Sequence, residues 1–244
     1  MRPFVILFFV LCLLGCSTDQ EIANGTLLAA LQGRDYVEGN VIACAASDPS
    51  AQRTDVFLYP RPGATNIRYF ETTSLEAEKD DFSAYMEGSL PVEDLFNGYL
   101  SRIPSEVAEG HWVIVSFEEA GSIHSCNPIR IKRDSKPTEY LPQNVTLTDL
   151  STLTPTFSWQ DGSLTDTVIY FQVISNMDND LLSGTYTAER IFQYYNTENV
   201  TLNITRDQPP ELIRGDSYGF TLMGVSEDNW VNLFVEVPFS LQDN

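Results

Sequence analysis

Positive charge is scarce in this chain. Fourteen Lys and Arg stand against 34 Asp and Glu, a formal net charge of −20 at pH 7. Phosphate backbones would be repelled by such a surface, which excludes nucleic acid as a partner. Histidine occurs only twice, at His111 and His124. Zinc asks for three or four ligands with a supporting shell, so two imidazoles do not make a metal centre. No Gly-x-Ser-x-Gly elbow, phosphate-binding loop or His-Glu-x-x-His occurs, and each would be the local device for its chemistry. The sequence therefore reads as non-enzymatic, with no catalytic residue, no cofactor and no metal. Beyond the N-terminus there is also no run of about 18 apolar residues, the length a helix needs to cross a bilayer.

What is present begins with Arg2, an apolar run over residues 4–14, and Leu13-Leu14-Gly15-Cys16. A charged start, a short apolar stretch and a small residue at its end form a secretory signal peptide over residues 1–15. The Gly before Cys16 resembles the lipobox of bacterial lipoproteins. That resemblance implies that Cys16 becomes the mature N-terminus and carries acyl chains such as palmitate, the membrane partner of the protein. Several chains at about 0.8 kcal/mol per buried methylene hold a soluble body at a surface. Ser17 follows in place of the Asp that favours inner-membrane retention in enterobacterial-type sorting. The expected address is thus the bacterial cell envelope, at the outer membrane. Export also implies oxidising surroundings. Cys12 leaves with the signal peptide and Cys16 is lipidated, so Cys44 and Cys126 are expected to form a disulfide bond. Closing that loop would stabilise the fold by roughly 4 kcal/mol.

After a tether over residues 16–35, with at most a short helix near 27–31, the pattern turns to short β-runs. Residues 41–45, 55–59 and 66–72 read as strands. Trp112 to Glu118 and Ile123 to Lys132 read as a hairpin turned by Glu119-Ala120-Gly121-Ser122. Between them Val92, Leu95, Phe96, Tyr99, Leu100 and Ile103 recur at i, i+3, i+4, i+7, i+8 and i+11. Ser89 and Pro91 precede the pattern and Pro104 ends it, which predicts a helix over residues 90–103. Residues 36–134 are accordingly expected to be a divergent β-sandwich with an inserted helix. The charged stretch 132–137 then marks a boundary.

From residue 137 to 244, seven or so short strands alternate with turn signals such as Asp161-Gly162 and Glu227-Asp228-Asn229, the rhythm of a β-sandwich. Phe157 and Trp159 place a Trp inward on the second strand, and Ile169, Phe171 and Val173 are read as the inward face of the third. Leu212, Gly215, Tyr218, Phe220 and Leu222 resemble the approach to the sixth strand of a fibronectin type III domain, an immunoglobulin-like fold. The resemblance implies that Leu212 plugs the core and Tyr218 makes a corner hydrogen bond. Arg214-Gly215-Asp216 falls on this approach rather than in the last hairpin loop, so integrin-type binding is not expected. The whole chain is thus all-β, two tandem sandwiches.

Three constellations remain. Glu76, Glu78, Asp80 and Asp81 form one acidic cluster and Asp178 with Asp180 another, but neither has the register of a calcium loop. Solvated loops are the plainer reading. Asn24, Asn144, Asn199 and Asn203 begin Asn-x-Ser/Thr triplets, read as β-rich composition. Aromatics beside polar residues suit a sugar face: Trp230 after Asp228 and Asn229, Tyr194 and Tyr195, and Trp112. One of the two adjacent tyrosines must point outward. The expected role is a binding or scaffolding module for a protein partner; the alternative is a surface glycan-binding lipoprotein. An enzyme would require His111, His124 and the acidic loop to converge.

Overall fold

Short β-branched and aromatic runs separated by turns become 19 strands in the computed structural model, which describes residues 23–242. The signal-peptide and Cys16 lipidation readings lie outside the described residues. Among the described residues helix is confined to one five-residue α-helix, α1 (Leu27–Leu31), capped by the Thr26 side chain accepting from the Ala29 N–H, and two short 3-10 turns.

The first sandwich has an outer and an inner sheet. The outer sheet contains β1 (Tyr36–Val37), β4 (Thr65–Thr72), β5 (Tyr85–Gly88), β8 (Trp112–Glu119), β9 (Ser122–Ser125) and β10 (Ile129–Arg130). Its order is β1-β9-β8-β4-β5, with β10 also paired to β8. The inner sheet contains β2 (Ala43–Ser47), β3 (Thr54–Leu58), β6 (Glu93–Leu95) and β7 (Leu100–Ser105), in the order β2-β3-β7-β6. The second sandwich repeats the plan. Its inner sheet has β11 (Glu139–Tyr140), β14 (Thr167–Asn176), β15 (Leu181–Thr187), β17 (Val200–Asn203), β18 (Ser217–Ser226) and β19 (Val231–Ser240). They lie in the order β11-β19-β18-β14-β15-β17. The outer sheet is β12 (Val145–Thr148), β13 (Thr156–Trp159) and β16 (Ile191–Gln193).

The two inner sheets pack on each other, so the molecule has three apolar layers. Strand periodicity sorts residues between them, because successive side chains leave opposite faces. On β3, Val56 and Leu58 enter the first sandwich's core, and Phe57 enters the layer between sandwiches. On β14, Tyr170 and Ile174 enter the second core, while Phe171 and Val173 enter the shared layer. This corrects the expected inward face of that strand: Phe171 and Val173 face the other sandwich. Packing on both faces also explains why β3 is buried along its whole length, Thr54 and Asp55 included, without alternation.

The fibronectin type III-like features of the second sandwich are present. Phe157, Trp159 and Leu212 are buried in its core, and the Tyr218 hydroxyl accepts a hydrogen bond from the Ile213 N–H at 2.8 Å. Arg214 binds the backbone carbonyls of Gln242 and Ser151, which commits that guanidinium to the turn.

Two expectations are overturned. Residues 90–103 form a hairpin, not a helix: Leu95 of β6 pairs with Leu100 of β7. Phe96, Asn97 and Gly98 all have positive φ (50°, 52° and 80°), the left-handed conformations of a tight reversal, which no right-handed helix contains. The Asn-Gly pair drives that reversal. Pro104 is tolerated because β7 has run past Glu93, the first residue of β6, there and pairs only with β3. Cys44 and Cys126, in turn, are free thiols, not a disulfide. The sheet's own alternation separates them. Ala43 and Ala45 point into the first core, where Cys126 lies, while Cys44 points into the layer between sandwiches. Burial pushes both thiols up to about 12, with Cys126 adding to the effect at Cys44.

Candidate binding cleft between the sandwiches

The turn Glu227-Asp228-Asn229 between β18 and β19 is held from both ends. The Asn229 N–H donates to the Ser226 carbonyl at 3.0 Å and Asn229 adopts φ 61°. The Ser226 hydroxyl donates to the Asp228 carboxylate at 2.6 Å. Trp230 then turns down into the core of the first sandwich, fully buried, with its indole N–H donating to the Lys136 carbonyl at 2.7 Å. The Ala45 N–H donates to the Asn229 carbonyl at 3.0 Å, stitching the turn to the edge of β2. The turn of one sandwich is therefore bolted into the other.

Above this bolt lies a cleft of about 750 Å³. Five carboxylates line it, Glu38, Asp80, Asp166, Glu227 and Asp228, against a single cation, Lys79. Trp112, Pro128, Thr165, Thr167 and Val168 supply the remaining walls, with Asn127 and Asn229 where the cleft meets the inner sheets. Two of the carboxylates are structural. Asp166 accepts from Lys136 at 2.7 Å and from the buried Asn232 amide at 3.0 Å, and these bonds hold its carboxyl below the usual range. Burial alone would raise Asp228, but the Lys132 ammonium and the Ser226 hydroxyl outweigh it and the net shift is downward. Glu38, Asp80 and Glu227 are exposed and make no side-chain hydrogen bond or ion pair among the described residues. Their charge is uncommitted.

Of the sequence-predicted contact residues, the structure brings Trp112, Asp228 and Asn229 together here. Trp112 is half-buried, its N–H donates to the Thr72 hydroxyl at 3.0 Å, and the Arg130 guanidinium covers its ring at 5.4 Å. Trp230 is corrected from a contact to a core residue: its large apolar surface and single N–H are both satisfied inside. Tyr194 is likewise buried in the second core with its hydroxyl donating to the Pro210 carbonyl at 2.6 Å, and Tyr195 alone points out, 46% exposed, beyond β16 on the outermost sheet. No set of exposed coplanar rings is formed by these four aromatics. The site residues that the sequence did not disclose are Glu38, Asp166, Glu227, Thr165, Thr167 and Asn127. They come from four segments, one of them the consecutive Thr165-Asp166-Thr167 at the start of β14, and no spacing relates one segment to another.

The other candidates resolve into structural roles. Asp180 accepts from Asn176 at 2.9 Å and from Asn97 of the first sandwich at 2.7 Å, tying the two units together. Asp81 caps the short turn Phe82–Ala84 through the Ser83 N–H. His124 pairs with Phe117 across β8 and β9 and bonds Asn40 at 2.8 Å. His111 precedes β8 at its other end and bonds the Thr72 carbonyl. Six residues of extended strand separate their levels, about 20 Å. Among the described residues no three His, Cys, Asp or Glu side chains come together as a metal group, and no helix is long and apolar enough to cross a membrane.

No family model matches this chain and no curated protein matches it. Among solved structures it is similar to the FN1–FN3 domains of chicken CNTN1, with 13% identity over 86% of this chain and 69% of that one, at a TM-score of 0.28. It is also similar to the Spr0440 glycoside hydrolase domain, Endo-D, of Streptococcus pneumoniae R6, with 11% identity over 82% of this chain and 33% of that one, at a TM-score of 0.33. At such scores the comparisons add nothing to the architecture already described: an all-β chain of stacked sandwiches, the second fibronectin type III-like.

Proposed function

We propose that this protein is an envelope-anchored, non-enzymatic binding module whose partner is a protein presenting a basic segment to the cleft between the sandwiches. The observation that carries this reading is the lining of that cleft, in which three uncommitted carboxylates face a 750 Å³ opening with one lysine. Clefts at the junction of two domains are the usual seat of ligands. A concave surface of one charge sign concentrates field and steers a complementary partner, and the net charge of −20 extends that attraction over the whole body. The glycan alternative loses its main support with Trp230 inside the core and Arg130 stacked on Trp112. Attachment through Cys16 would present the cleft at the membrane surface.

The test is selection from a random peptide library on the purified protein at low and high salt, repeated with Glu38→Gln, Asp80→Asn and Glu227→Gln combined. Lys- and Arg-rich sequences should be enriched, bind more weakly at high salt, and lose roughly tenfold or more in affinity on the triple variant. Selection of acidic or neutral sequences, or affinity untouched by the triple variant, would overturn the reading.

A further inference from the structure

The acidic cleft does not end at its polar walls. Asn127 and Asn229 at its one end also line an apolar groove of about 270 Å³ between the two inner sheets. One wall of this groove is β2 and β3 with Ile42, Cys44 and Phe57, and the other is the second sandwich's inner sheet with Ile169, Tyr186 and Met223. Ile42, Cys44, Ile169 and Tyr186 are half-buried along it, and Leu202 at its lip is 42% exposed. A second surface opening, of about 280 Å³ and lined also by Asp55, Arg102 and Glu236, reaches the same Phe57, Phe171 and Met223. Apolar side chains of the shared layer are thus accessible from solvent along the seam.

Neither the Asn127 nor the Asn229 side chain makes a hydrogen bond among the described residues, although each amide offers two donors and an acceptor. Two uncommitted amides at the joint between an acidic and an apolar compartment match the alternating N–H and C=O of an extended backbone crossing that joint. We infer that the seam reads a two-part peptide, in which Lys or Arg side chains lie in the acidic cleft and one large apolar side chain, immediately beyond them, fills the groove. The inference rests on the basic-segment reading above and adds the apolar anchor. Apolar anchors in desolvated pockets carry most of the energy of protein recognition, and surrounding charges set rate and register.

The experiment compares a short peptide of three lysines followed by phenylalanine with its twin ending in serine, by calorimetry on the purified protein. It is repeated with Leu202→Ser and Ile169→Ser combined, with folding of the variant checked by thermal melt because Ile169 packs against the shared layer. The phenylalanine peptide should bind roughly tenfold to hundredfold more tightly than the serine twin, and the double variant should erase most of that gap. A benzophenone in place of the phenyl ring should cross-link to Cys44, Tyr186 or Met223. Equal affinity of the twins, with both still dependent on the cleft carboxylates, would sink the anchor and leave the basic-segment reading standing. If neither peptide binds, both readings fall. Binding of a dodecylammonium amphiphile through the groove residues, with no advantage for the phenylalanine peptide, would assign the seam to a lipid instead.

Discussion

At the scale of single residues, Trp230 is the most informative. Its neighbours Asp228 and Asn229 and its place in a hairpin turn suggest an exposed aromatic, and the hairpin itself is where the pattern puts it. Orientation is decided elsewhere, by the first sandwich, whose core holds Trp230 together with Ala43 and Ala45 and whose strand β2 bonds the turn through the Ala45 N–H. Trp230→Ala should therefore act on stability and on the junction together. Truncating a fully buried Trp costs about 3–5 kcal/mol, and the change would appear as a lower urea midpoint. The indole's hydrogen bond to the Lys136 carbonyl would go with it. A change under 1 kcal/mol would contradict the bolt. Cys44 and Cys126 teach the same lesson in reverse. Counting cysteines in an exported chain suggests a bond, yet one residue of strand register sends the two thiols into different layers.

At the scale of elements, the strands of both sandwiches were legible because β-branched and aromatic runs between turn residues have few other conformations open to them. The exception is instructive. Val92, Leu95, Phe96, Tyr99, Leu100 and Ile103 satisfy a helical spacing, yet they form two antiparallel strands. The hairpin reverses the chain at Phe96-Asn97-Gly98, so residues on either side meet by folding back and not by winding round. Apolar spacing over 12 residues cannot distinguish these routes, but an Asn-Gly pair at the centre of the pattern can. Gly98 sits at φ 80° with no backbone atom close to a would-be Cβ, so Gly98→Val tests conformation alone. A β-branched residue in the left-handed region is strained by roughly 1–3 kcal/mol. Loss of that order in chemical denaturation is expected, whereas a helix at this position would respond favourably to removal of a glycine.

At the scale of the whole molecule, the shared layer between the inner sheets makes the two sandwiches one cooperative body. Its charges predict how that body responds to acid. Asp166, Asp228, Glu87, Asp48 and Asp180 all have carboxyls held below their ordinary range by ammonium, guanidinium, hydroxyl or amide partners. A carboxyl depressed in the folded state contributes stability that is present above its unfolded value, about 4, and is lost as the pH falls through the folded value. Asp55 runs the other way: burial raises it against the pull of Arg102 and Arg53. Its contribution is present in acid and is lost as the pH rises past 4. The depressed groups outnumber it. Thermal scans from pH 7 to pH 3 should thus show one transition whose midpoint holds steady and then drops below about pH 4. Two separate transitions at neutral pH would contradict the shared layer.

Local preferences determined the strand content, the capped turn of helix at residues 27–31, the corner tyrosine and the acidic character of this protein, because each depends on a few neighbours along the chain. The tertiary structure alone decided which face of each inner-sheet strand turns to its own core and which to the other sandwich. With apolar layers on both sides of the inner sheets, alternation no longer distinguishes core from surface. The cleft belongs to this second class. Its carboxylates and amides come from loops whose only relation is that packing one sandwich on the other brings them to the same opening.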